Sequence, residues 1–238
     1  MKKLRIIIVL VGLVLIAYPI AGKLYAEKKQ KFMYENLYKT ANTIDRAEDE
    51  SLLASNEYEE LQRAFEYNNS DIINTNGLTP DPMPEGKPDQ PIKTDSPDNE
   101  SKPAIQSGQV MGRMLIDKIN IDIPIVEGVS PENLKISLGH LPGSSLVGEI
   151  GNTVIAGHRS HTFGYYFNRL DEMDVNDEVV IDTGSRTYRY VVFQKKVVEP
   201  TDTSVLKRSK TLGILTLVTC HPLYSSKQRL IVHAYLVD

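Results

Sequence analysis

Residues 214–236 read "ILTLVTCHPLYSSKQRLIVHAYL". Ile214–Cys220 and Arg229–Leu236 are apolar runs rich in β-branched residues, the composition of strands. Residues 221–228 between them carry Pro222, Ser225 and Ser226, which favour a loop. Two strands so joined form an antiparallel hairpin, and the residues flanking the loop face each other with Cβ atoms about 5 Å apart. Those residues are Cys220, the sole cysteine of the chain, and Arg229. The spacing therefore sets a guanidinium beside a thiol. The plainer alternative is a cysteine buried as a small apolar residue and an arginine exposed on a loop.

Working outward, residues 109–238 read as further short strands. "MLIDKINIDIPIVEG" alternates, with Ile119, Ile121, Ile123 and Ile125 on one face. Ser130, followed by Pro131, is a helix start with serine as N-cap. "GNTVIAG" is a short buried strand, and residues 177–200 form a hairpin turning at Thr183-Gly184-Ser185. His140 lies in the turn-rich "GHLPGSS". Many short strands with few helices predict a mainly β, closed or nearly closed barrel of mixed pairing.

The N-terminal part is different. Ile6–Ala21 is apolar, and counting from Leu4 to Tyr25 gives about the length that crosses roughly 30 Å of hydrocarbon. Because the run lacks a good small-x-small cleavage pattern, an uncleaved anchor is favoured over a signal peptide, with the N-terminus cytoplasmic. Four regions are expected: 1–27 as cytoplasmic head and transmembrane anchor, 28–67 as a helical extension, 68–108 as a linker, and 109–238 as the folded barrel. The linker holds seven of the thirteen prolines and few apolar residues. Charge follows the same division. Residues 1–32 have seven basic groups against one acid, 33–108 have sixteen acids against six bases, and the remainder is balanced. The basic cluster flanks the apolar run instead of forming a face of a folded domain, so no nucleic-acid partner is expected.

A thiol nucleophile reacts as thiolate and needs a proton partner. Of the five histidines, His158 in "VIAGHRSHTFG" stands where a buried strand runs through Gly157 into a loop, a common position for functional side chains. His221 adjoins Cys220 and would point to the opposite side of the strand. His233 lies mid-strand, where packing explains it. His158 and His161 are three residues apart in a loop, with neither a second cysteine nor a carboxylate pattern nearby, so no metal and no other cofactor are expected.

Taken together, "TLVTC", the arginine of "RLIV", the upstream "IAGHR" and "IDKINIDIPIVEG…LGHLPGSS" resemble the sortases, membrane-anchored cysteine transpeptidases of Gram-positive bacteria, over about residues 109–238. The resemblance implies an eight-stranded sortase-type β-barrel with short helices after a helical N-terminal extension. It implies Cys220 as nucleophile, His158 as general acid/base, Arg229 as the group steadying substrate and tetrahedral intermediate, and Thr219 as a substrate contact. The implied substrates are LPxTG-type surface proteins or pilins, cut after the threonine through a thioacyl intermediate. The implied acceptor is an amine from a peptidoglycan precursor or a pilin lysine, at the outer face of the cytoplasmic membrane. Cys220-His221-Pro222-Leu223 and the lack of a second apolar run favour a class D-like sortase. Residues 33–83 resemble the class C N-terminal extension, and "TPDPMPEG" resembles its lid, which would set Asp81 on Arg229 and Met83 over Cys220, within a lid of residues 76–86. Two other readings of the thiol stay open: a membrane-tethered thiol hydrolase, and a non-catalytic cell-wall-binding module with Cys220 in its core.

Overall fold

The computed structural model describes residues 24, 28–31, 56–66, 105–159 and 166–237. Eight strands follow one another: β1 (Val110–Ile116), β2 (Ile121–Glu127), β3 (Leu138–His140), β4 (Gly151–Ala156), β5 (Glu178–Asp182), β6 (Thr187–Val198), β7 (Gly213–His221) and β8 (Gln228–Leu236). They close into a barrel in the order β1-β2-β3-β4-β7-β8-β6-β5. Closure leaves no unpaired sheet edge. The pairing is mixed, as expected: β2 with β3 and β4 with β7 are parallel, and the remaining neighbours are antiparallel.

The two-residue period of the strands sorts the apolar residues into two cores. Leu215 and Leu217 of β7, Leu230 and Val232 of β8 and Ile155 of β4 point into the barrel. The alternate residues Val218, Cys220, Ile231, Val154 and Ala156 point outward into a second cluster. A helix, α1 (residues 56–66), covers that outer face. Its Tyr58, Leu61, Ala64 and Phe65 recur at helical spacing and are all buried, so the helix lays one apolar stripe on the barrel. Residues 28–31 add a helical turn whose Gln30 side chain donates to the Ile136 carbonyl at 3.1 Å. Among the described residues no helix is long and apolar enough to cross a membrane. The expected anchor, apart from Leu24, lies outside them, as does the linker up to Ala104.

Two local expectations need correction. The run from Met114 to Gly128 is not one alternating strand. β1 ends at Ile116, residues Asp117–Ile119 form a 3₁₀ turn, and Asn120 closes it in the left-handed region at φ 57°. Asparagine tolerates that conformation better than most residues, and the reversal lets Ile116 pair with Ile121. His140 ends β3 instead of lying in a turn, and is fully buried with its Nδ1 2.7 Å from Glu127 Oε2. The short helix α2 (Pro131–Leu134) starts as expected, with the Asn133 amide donating to the Ser130 hydroxyl at 3.3 Å.

Candidate functional site

Cys220 and Arg229 are direct cross-strand partners on β7 and β8, with Val218 opposite Ile231 one step further in. Their side chains share the outer face that α1 covers. Strand β4 lies on the other side of β7, parallel to it, with Ala156 level with Val218. The pairing carries on past the end of β4: the Gly157 amide donates to the Val218 carbonyl at 3.1 Å, and the Thr219 hydroxyl donates to the Gly157 carbonyl at 2.7 Å. One residue further, His158 comes level with Cys220 on a neighbouring strand path, about 4.8 Å being the usual spacing. Residues 154, 156 and 158 have the same parity, so the imidazole emerges on the same outer face as the thiol. The barrel thus brings together the three residues that are 62 and 9 positions apart in the chain. Thr219 is fully buried, points to the other side of β7 and spends its hydroxyl on Gly157. A Cβ at Gly157 would stand 2.6 Å from Leu138 Cδ2 and 2.9 Å from Phe167 Cδ2, so only glycine allows β4 this approach.

Arg229 is wholly buried. Its Nη1 donates to the carbonyls of Ser226 at 2.6 Å and Gln228 at 2.9 Å, which turns the guanidinium back over the loop. Its Nε donates to Gln62 Oε1 of α1. Its Nη2 has no hydrogen-bond partner among the described residues. A buried donor left unmade costs about 1–3 kcal/mol, more when charged, so this group is set to receive an acceptor.

α1 fills the space between these groups. The Phe65 ring lies 5.6 Å from the His158 ring, centroid to centroid, and Arg229 Cζ lies 5.1 Å from the Phe65 centroid in cation–π range. His158 is only 4% exposed and Cys220 7%. Burial pushes the Cys220 thiol up to about 11, against the pull of Arg229 and then Arg159. Burial pushes His158 down to about 4, with Lys135 adding in the same direction. At neutral pH the covered pair is therefore thiol and neutral imidazole, both in their uncharged forms.

A second layer lies behind the pair. Arg159 follows His158 and His221 follows Cys220, so both point away from the thiol's face. Arg159 Nη1 is 2.9 Å from His221 Nδ1, and its Nη2 pairs with Asp171 Oδ1 at 2.7 Å. His233 packs as expected for a mid-strand residue, stacked on Phe193 with centroids 5.9 Å apart and its Nδ1 2.9 Å from the Thr216 hydroxyl. His161, Asp81, Met83 and the expected lid at 76–86 lie outside the described residues. Phe65, Gln62 and Arg159 escaped the sequence reading. Within the expected helical extension, Leu53, Leu61, Ala64 and Phe65 fall near helical spacing, yet nothing in that pattern says which surface they would cover.

A family model described as the sortase domain matches residues 114–237, just over half of the chain. The chain belongs to the sortase family. Among curated sortases, Sortase D of Bacillus subtilis (strain 168) is 31% identical over 129 residues, which are 54% of this chain and 63% of that protein. The chain thus spans less than two thirds of that relative's length. Among solved sortases, sortase C1 of Streptococcus agalactiae is 36% identical with a TM-score of 0.54, over 57% of this chain and 71% of that one. The Clostridium perfringens Sortase D5 transpeptidase is 26% identical with a TM-score of 0.52, over 79% of this chain and all of that one. The sortase fold seen in these proteins is the closed mixed barrel described above, and in this chain the face bearing Cys220, His158 and Arg229 is the face under α1.

Proposed function

We propose that this chain is a cysteine transpeptidase that cuts an LPxTG-like sorting signal and transfers the acyl part to an amine. The Cys220 thiol gives its proton to His158 as its sulfur attacks the carbonyl carbon of the threonine–glycine bond. The C–N bond breaks, the leaving amine takes its proton from His158, and a thioester remains on Cys220. An incoming amine then attacks the thioester and yields its proton to His158, and the thiolate leaves. Splitting amide exchange into two acyl transfers lowers the barrier of each. The observation that carries this reading is the Cys220–Arg229 cross-strand pair, in which a buried arginine keeps Nη2 without a partner among the described residues on the thiol's own face. A fixed, water-excluded donor is worth most where a carbonyl oxygen turns into an oxyanion. The sortase membership and the likeness to a D5 transpeptidase support the same chemistry.

On this reading Thr219 acts through the backbone at the scissile bond, its hydroxyl being held by Gly157. The apolar segment Leu4–Tyr25 anchors the chain in the cytoplasmic membrane with the barrel outside. The acceptor is the amine of a peptidoglycan precursor or a pilin lysine, and the enzyme is class D-like, in keeping with its Sortase D relative. The test is mass spectrometry of an LPxTG peptide incubated with the protein, with and without a diglycine or lysine amine. An amine adduct is expected, and it should vanish in Cys220→Ala. Hydrolysis alone in the presence of excess amine would mean a thiol hydrolase, and turnover by the alanine variant would remove Cys220 as nucleophile.

A further inference from the structure

Arg159 is a buried cation whose contacts all fall on the scaffolding of the thiol and the imidazole. Its side chain is 4% exposed, while its carboxylate partner Asp171 is half exposed. Such an arginine is costly to bury unless each donor is used. Its Nε donates to the Asn168 carbonyl at 3.3 Å, its Nη2 pairs with Asp171, and its Nη1 meets His221 Nδ1 at 2.9 Å and the Cys220 carbonyl at the 3.5 Å limit. Arginine has no acceptor, so His221 Nδ1 accepts, and the His221 proton sits on Nε2. Burial and Arg159 both lower the His221 pKa, in keeping with a neutral ring.

Three segments meet at this guanidinium: the turn that carries His158, the stretch from Tyr166 to Glu172, and the end of β7 that carries Cys220. The first two are joined again by the Phe167 amide, which donates to the His158 carbonyl at 3.0 Å. His158 and Cys220 lie on parallel strand paths whose side-chain ties among the described residues are Thr216 with Asn152 at 2.7 Å, well back along the strands, and Thr219 with the Gly157 carbonyl. Past that point, among the described residues, the strand-to-strand ties on the far side are those of Arg159 Nη1 to His221 Nδ1 and to the Cys220 carbonyl. The two adjacent dipeptides, His158-Arg159 and Cys220-His221, are thus locked through their second members while their first members face the substrate side.

We infer that Arg159 is a positioning residue for acyl transfer: by gripping His221 and the Cys220 carbonyl from behind, it holds the thiol-bearing strand end in reach of the imidazole. The inference rests on the transpeptidase reading above for its rate readout, but not for its thiol readout. Its positive charge also lies behind the sulfur, on the opposite side from Arg229 and His158, and favours the thiolate.

The experiment compares parent, Arg159→Met, His221→Leu and His221→Gln. Two quantities are read: the pH profile of iodoacetamide alkylation of Cys220, which is the chain's sole thiol, and kcat and KM for an LPxTG peptide. Arg159→Met should lower kcat by about 10- to 100-fold with little change in KM, the size of effect an ångström of misplacement produces, and move the alkylation midpoint to higher pH. His221→Leu keeps the arginine and its Asp171 pair, so it folds even if Arg159→Met does not, and should lower kcat in the same way. His221→Gln offers a side-chain oxygen to the same donor and should restore most of the rate. Arg159→Met and His221→Leu combined should cost no more than either alone. A folded Arg159→Met or His221→Leu with the parental alkylation profile and kcat overturns the inference, as does His221→Gln behaving like His221→Leu. If the parent forms no amine adduct, the transpeptidase reading fails. The alkylation profiles still decide the inference in that case.

Discussion

The chief consequence of α1 lying over the thiol is that Phe65→Ala should expose Cys220. Phe65 is 1% exposed and touches both His158 and Arg229. Truncating a buried phenylalanine typically costs about 3–5 kcal/mol. Here the loss falls on the docking of one helix, a local opening and not global unfolding. The Gln62–Arg229 bond and the burial of Tyr58 and Leu61 remain, so the lower figure of about 3 kcal/mol is appropriate. At about 1.4 kcal/mol per tenfold, the fraction of molecules with α1 lifted should rise roughly 100-fold. The assay is the pseudo-first-order rate of alkylation by iodoacetamide at pH 7.5. Labelling passes through the opened form, because the covered thiol is both inaccessible and held up near 11. The rate should climb by up to the same roughly 100-fold factor. Phe193→Ala, which trims a half-exposed ring on β6 away from α1, serves as control and should leave the rate within about twofold. An unchanged rate in a folded Phe65→Ala would refute the reasoning, since α1 would then not limit access to the thiol.

Acid and alkali should both loosen the covered state. His158 and His233 are held down near 4, so between pH 6.5 and 4 the unfolded chain binds protons that the fold refuses; stability is full above about 6.5 and falls with acid. Cys220 is held up near 11, so stability falls again as pH rises from 9 towards 11, and a melting-temperature profile should plateau between about 6.5 and 9. A profile rising steadily below pH 6.5 would contradict the buried neutral histidines. Glu127→Leu should strand His140, whose Nε2 also faces the Ser145 carbonyl at 3.0 Å; breaking a buried pair costs about 3–5 kcal/mol, or about 10 °C of melting temperature. A loss under about 2 °C would show the pair to be dispensable. Arg229→Lys should cut kcat/KM for an LPxTG peptide by about 100-fold, because a lysine cannot hold two loop carbonyls and still present a spare donor. Near-parental turnover would take Arg229 out of the reaction.

The hairpin half of the site was legible because it is local. An antiparallel hairpin with known strand ends leaves little freedom in which residues face each other, and Cys220 opposite Arg229 followed from counting. The β4–β7 pairing was not legible in the same way. Parallel neighbours are joined through long crossovers, so their register depends on the whole barrel closing, and sequence could say only that His158 stood at a strand end. The covering helix was the least legible part. Its stripe at Tyr58, Leu61 and Phe65 would suit any apolar face, and what marks this one, Gln62 meeting Arg229 and Phe65 meeting His158, joins residues far apart in the chain. Asn120 shows the opposite failure: four isoleucines in alternation suggested one continuous strand, and a single left-handed residue broke it.

The covered geometry also bears on selectivity. If the proposed reaction holds, the thiol and imidazole must leave their neutral, buried forms before a carbonyl is attacked. A peptide entering the face between His158 and Arg229 meets the same space that Phe65 fills, and it competes with α1 for the spare donor's arginine. Its apparent affinity is then its intrinsic affinity reduced by the fraction of molecules with α1 lifted. A weakly held peptide cannot displace the helix, whereas one that satisfies Arg229 Nη2 gains an interaction that α1 leaves unmade among the described contacts. The same displacement lets water and charge back to the sulfur and ring, moving both towards the reactive thiolate–imidazolium pair. On the proposed reaction, recognition and activation are then coupled: a peptide that gains Arg229 Nη2 gains enough to displace the Phe65 cover that holds the thiol protonated.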